Sequence, residues 1–103
     1  MNKTTFYIIV DFAAEEYLTK YNPQDSSKWQ WDGDNCLHLN QYDDISPIHP
    51  SARFPTKEEA YKVRDHVHNT FKSNGVTDLN FGVYLVEAET VIVEKTTVKT
   101  REA

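Results

Sequence analysis

Hydrophobic and polar positions divide the chain into stretches of two different periods. In Thr4–Phe12 the apolar residues Phe6, Ile8, Val10 and Phe12 alternate with Tyr7, Ile9 and Asp11, so both faces are largely apolar. That is the pattern of a strand in the middle of a sheet. Phe81–Val93 is a second strongly strand-forming run, in which Gly82 marks a bulge. Glu87-Ala88-Glu89 interrupts its alternation and predicts a bend, or a turn into a further strand over Val91–Val98, with Lys99–Ala103 as a frayed end. Between these runs the period becomes helical: Ala60, Val63, Val67 and Phe71 fall on one stripe.

The start of that helix is the best-specified passage in the chain. Thr56 and Glu59 form a capping box, in which the threonine oxygen accepts from the Glu59 amide and the Glu59 carboxylate reaches back to the Thr56 amide. Pro55 keeps the entry extended, and Glu58 and Glu59 place negative charge at the positive end of the helix dipole. Lys72 suits the last turn and Asn74-Gly75 supplies a left-handed stop. The predicted helix therefore runs from Lys57 to Asn74.

Residues 13 to 21 fit two templates. Ala14, Leu18 and Tyr21 share a helical face, but Ala13–Glu15 also reads as a turn into a strand Tyr17–Tyr21, and the hairpin is the preferred reading. After a loop at Asn22–Ser27, Lys28–Trp31 and Cys36–Leu39 flank Asp32-Gly33-Asp34-Asn35 as a second hairpin. A three-residue loop sets Trp29 opposite Leu37 and brings the tryptophans to the core; a two-residue loop sets Trp29 opposite His38 and Trp31 opposite Cys36, on the other face. Tyr42–Pro50 is a stiff loop, its Ile-His pair bracketed by Pro47 and Pro50.

A chain of 103 residues is one domain, taken here as 1–98 plus the frayed end, large enough to bury a core without metals or disulfides. The lone cysteine, Cys36, rules out an internal disulfide and makes a reducing, cytoplasmic setting the default expectation. The apolar run Phe6–Val10 is too short for a membrane span. Net charge is −5, but residues 11 to 44 carry only Lys20 and Lys28 against Asp11, Glu15, Glu16, Asp25, Asp32, Asp34, Asp43 and Asp44. An acidic domain without a Lys/Arg stripe repels phosphate, so direct nucleic-acid binding is not expected.

Candidate chemistry meets simpler explanations. Cys36 and His38 are two apart, as are His66 and His68, and neither pair has metal-site spacing; on a helix His66 and His68 diverge, with His68 toward Tyr61 and His66 alone. No metal and no cofactor is expected. The Asp32–Asn35 run lacks the length and terminal glutamate of a calcium loop and is explained as hairpin-turn chemistry. With three glycines, no phosphate cradle or nucleophile elbow can be built. A small enzyme or metal-dependent protein centred on Cys36, His38 and His49 is the contrasting hypothesis. It requires those three side chains to converge.

What remains is a surface. Tyr17, Tyr21, Trp29, Trp31 and Tyr42 interleave with the acidic cluster, and exposed aromatics flanked by carboxylates suit an interface with a basic partner. The expected contact residues are Trp29, Trp31, Asp32, Asp34, Tyr42, Asp43 and Asp44.

Tyr7-Ile8-Ile9-Val10, Glu16-Tyr17-Leu18-Thr19, the tryptophan pair, Ala52-x-Phe54-x-Thr56-Lys57-Glu58-Glu59-Ala60 and the closing valine-rich strand resemble small phage and prophage proteins of Gram-positive bacteria. The resemblance spans most of the chain. It brings no general activity and no functional residue, but implies an accessory protein that meets a host protein. The expected molecule is thus an α+β domain, an antiparallel sheet packed on a single helix, acting as a non-enzymatic interaction module. A homodimer through the Phe81–Val98 region is a further expectation.

Overall fold

In β1 (Asn2–Asp11), Ile8, Ile9 and Val10 retain 0% of their exposed surface. Burial of three successive residues needs cover on both faces of a strand. In this computed structural model, which describes residues 2–33, 48–91 and 95–102 and the side chains of 5–33 and 48–87, β1 is the middle strand of a five-stranded antiparallel sheet. The others are β2 (Glu16–Lys20), β3 (Gln30–Asp32), β4 (Phe81–Val91) and β5 (Lys95–Glu102), in the order β3-β2-β1-β4-β5. Among the described residues one α-helix, α1 (Lys57–Ser73), packs on the sheet, the expected α+β arrangement.

The β1–β2 hairpin decides the ambiguous segment in favour of strand. Asp11 Oδ1 accepts from the amides of Ala13 (3.1 Å) and Ala14 (3.2 Å), and Glu15 adopts a left-handed φ of 57° that closes the turn. β3 then pairs with β2, Leu18 opposite Trp31 and Tyr17 opposite Asp32. It begins at Gln30 rather than Lys28, because Asp25 accepts from the Ser27 amide (3.0 Å) and caps a 3-10 turn over Ser26–Lys28. Cys36–Leu39, and with it the choice between hairpin registers, lies outside the described residues.

The helix starts and stops where its signals stand. Thr56 Oγ1 accepts from the Glu59 amide at 3.2 Å. At the other end Gly75, with φ 81°, donates to the Lys72 carbonyl (3.1 Å), and Val76 donates to that of Phe71 (3.0 Å), a paired closure of the last turn. Antiparallel register puts Tyr7 with Leu85, Ile9 with Val83 and Asp11 with Phe81 on one face. That face meets α1: Phe71 stacks on Phe81 (5.5 Å, 25°) and Arg64 Nε donates to the Phe81 carbonyl (2.9 Å). Ala60 and Val67 of the stripe are fully buried, while Val63 and Phe71 are half-buried.

The segment leading into α1 is laced to the sheet. The His49 amide donates to the Thr19 carbonyl (2.7 Å), the Tyr21 amide to Ser51 Oγ (3.1 Å), and Phe54 exchanges both backbone bonds with Tyr7 (2.7 and 2.9 Å). Phe54 thereby extends the sheet beside β1 where β2 has left it.

Three sequence expectations need correcting near the end of the chain. Gly82 pairs in register with Val10 and forms no bulge; it is glycine because a Cβ there would run into the Phe12 ring, which packs edge-on to Tyr84 (5.7 Å). Glu87–Glu89 causes no bend or turn, because β4 runs unbroken to Val91. Glu87 and Glu89 continue the face of Leu85, and Ala88 continues that of Val86. The alternation persists through these residues. The last strand spans Lys95–Glu102 rather than Val91–Val98, and its pairing of Glu102 with Tyr84 takes in residues read as a frayed end. β1, β4 and β5 consequently extend past the helix as a three-stranded arm, consistent with a long axis of 49 Å against 22 Å across.

Candidate interaction face

Trp29 and Trp31 come to the same place by different routes. Trp31 faces α1 because it lies opposite Leu18, and its ring meets Phe71 (6.3 Å) and Phe81 (5.9 Å). Trp29, at the end of the capped 3-10 turn, stacks on Tyr21 (5.6 Å, 28°) and meets His66 (5.6 Å) and Phe71 (6.2 Å). The result is a seam of aromatic rings where the β3 side of the sheet meets the C-terminal half of the helix. Both tryptophans are half-buried, so each joins the core and keeps part of its surface outside.

Two polar groups of this seam are paired from within. The Trp29 indole N–H donates to the Asn22 carbonyl (2.7 Å), and the Tyr21 hydroxyl shares a 2.6 Å hydrogen bond with His66 Nδ1. Partial burial pushes the Tyr21 hydroxyl above its ordinary 10.0. His66 is therefore engaged rather than alone, and His68 packs edge-on to Phe81 (6.5 Å). Helical spacing separates the two histidines as expected. It could not show that a tyrosine from β2 would reach one of them.

Among the acidic residues several have structural work. Asp11 caps the first hairpin. Asp25 accepts from the Ser27 hydroxyl and amide, which holds its carboxyl below the usual range. Asp32 is half-buried at the end of β3. Asp34, Tyr42, Asp43 and Asp44 lie outside the described residues, as do Cys36 and His38.

His49 is described, and its ring is occupied. Nδ1 accepts from the Ser51 amide (3.0 Å) and lies 2.8 Å from Ser51 Oγ, the separation of a serine–histidine nucleophile pair. Ser51 Oγ also accepts from the Tyr21 amide, so both side chains hold the 3-10 turn Pro50–Ala52 against β2. Among the described residues no three His, Cys, Asp or Glu side chains group as metal ligands, and no helix is long and apolar enough to cross a membrane.

One shallow groove of about 240 Å³ lies beyond the seam, lined by His68, Lys72, Val76, Thr77, Asp78 and Leu79. No protein-family model, curated protein or solved structure matches the chain.

Proposed function

We propose that this chain is a non-enzymatic interaction module, an accessory protein of phage or prophage type that binds a basic host protein through its β3 side. The observation that carries this reading is the half-buried aromatic seam, in which the Trp29 indole N–H and the Tyr21 hydroxyl are already paired. Such a surface gains by excluding water under a partner and loses no internal hydrogen bond in doing so. Asp32 stands at its margin, and Asp34, Tyr42, Asp43 and Asp44 follow it in the chain. Those carboxylates would steer a cationic partner and repel nucleic acid. A partner that itself holds nucleic acid would offer a fitting basic groove.

The test is kinetic. With a partner captured from the host, Asp32, Asp34, Asp43 and Asp44 changed together to Asn should slow association and flatten its salt dependence. Trp29→Phe and Trp31→Phe, which keep the seam filled, should speed dissociation. An interaction indifferent to all of these changes places the contact elsewhere.

A further inference from the structure

The outer edge of β5 lies at the opposite end of the sheet from that aromatic seam. Among the described residues no strand pairs with its far side. The β4–β5 ladder runs from Tyr84↔Glu102 to Val91↔Lys95 without a register shift, so β5 presents eight residues of regular backbone that include no proline. Natural edges of that length are usually blunted by bulges, prolines or charge. Here only charge is present.

The charges are ordered by strand. On one face of the arm, register places Lys3 of β1 beside Glu89 of β4, with Glu87 as the next residue of that β4 row. Lys95, Thr97, Lys99 and Arg101 of β5 form the following row. Lys99 stands directly opposite Glu87, while Lys95 and Arg101 stand opposite Val91 and Leu85, which offer no carboxylate. The rows thus run cation, anion, cation outward from β1, with three cationic positions in the last row. Opposite charges across adjacent strands are favourable and like charges directly opposed are not.

The same arithmetic disfavours a second copy. Antiparallel pairing of two β5 strands across a twofold keeps each residue on its own face, so odd positions meet odd positions. Every such register that pairs five or more residues opposes cations: Lys95 to Lys99, Lys95 to Arg101, Lys99 to itself, or Lys99 to Arg101. We infer that the β5 edge receives an extended acidic segment of another protein as a sixth strand, with carboxylates at alternate positions facing Lys95, Lys99 and Arg101. Backbone pairing supplies the affinity and the charged row the selectivity. This surface is separate from the β3 seam and does not depend on it.

A capped ten-residue peptide alternating Glu with Thr or Val is the probe, and the same peptide with Lys for Glu the control. Titrated against the isotope-labelled full chain, the acidic peptide should shift and protect β5 amides from exchange, while the basic one should not. Lys95→Glu/Lys99→Glu/Arg101→Glu should reverse the preference. The milder Gln triple should weaken the acidic peptide about tenfold or more, and the amide spectrum of each variant shows whether it is folded. An acidic peptide that does not bind, or binds away from β5, overturns the proposal. So does light scattering that finds a dimer paired through β5, or an oligonucleotide that binds this edge more tightly than the acidic peptide.

Discussion

The two edges of the sheet are held by different means. β3 is three residues long, too short for its ladder to fix it, and it is fastened by rings: Trp31 on Phe71 and Phe81, Trp29 on Tyr21, His66 and Phe71. β5 is eight residues long and is paired to β4 along its whole length. An edge fastened by side chains offers a side-chain surface. An edge fastened by its backbone on one side offers backbone on the other. The proposed partners differ accordingly: a folded basic surface for the seam, an extended acidic strand for β5.

The largest expected effect removes the support both edges share. Val67 is fully buried between α1 and the sheet, and Val67→Asp places an unpaired carboxylate there. The loss should exceed about 4 kcal/mol and unfold the domain, read as a missing thermal transition. A β5 ladder that kept its exchange protection in this variant would show that the arm is stable without the helix.

Next in size, Trp31→Ala should cost about 2–4 kcal/mol, the lower part of the range for core aromatics because the ring is only half-buried. The loss should be local. Amides of β3 and of the 3-10 turn at Ser26–Lys28 should exchange faster, with β5 unchanged. Equal acceleration at both edges would mean that the sheet responds as one unit. In the wild type, emission intermediate between buried and exposed tryptophan, with partial access to a neutral quencher, is the matching fluorescence outcome.

Much of this architecture was legible in the sequence because it rests on local chemistry. The alternation of Phe6 to Phe12 reports a strand buried on both faces, and Thr56, Glu59, Asn74 and Gly75 mark the ends of α1 almost to the residue. The turn at Ala13–Glu15 could be read because Asp11 is a ready acceptor for the amides that follow it. What could not be read depends on distant partners. Glu87-Ala88-Glu89 looks like a break only when charge is taken to mean irregularity; the strand is regular. Gly82 looks like a bulge until Phe12 is placed over it. The seam was half legible, since the tryptophans were singled out but their partners His66 and Phe71 lie in a helix whose angular placement on the sheet only packing sets. The acidic half of the contact face falls mainly on residues outside the described ones.

A smaller effect tests how far the arm depends on the start of the helix. Thr56→Ala removes the acceptor for the Glu59 amide and should cost about 1 kcal/mol. Because Phe54 pairs with Tyr7 just before this cap, fraying there should reach β1 near Tyr7 before it reaches the β3 seam. Hydrogen exchange resolved by residue checks the order. A change first seen at Trp29 and Trp31 would show that the helix loosens from its C-terminal end.

The smallest effect is a titration confined to the seam. Burial raises the Tyr21 hydroxyl above its ordinary 10.0, so the folded chain holds that proton more tightly than the unfolded chain does. The resulting stability is fully present below pH 10 and is lost as pH rises through the folded value. Tyrosinate would also bring a negative charge against His66 Nδ1 and the stacked Trp29 ring. The measurement has to be a difference. Wild type and Tyr21→Phe share every other ionisable group, and their gap in melting temperature should stay flat from pH 7 to about pH 9 and then shift against the wild type above about pH 10, the ordinary tyrosine range. Trp29 emission should fall over the same interval in the wild type alone, since the stacked ring reports the ionisation beside it. A gap that stays flat through pH 11 would mean that the hydroxyl is no more sheltered than in the unfolded chain.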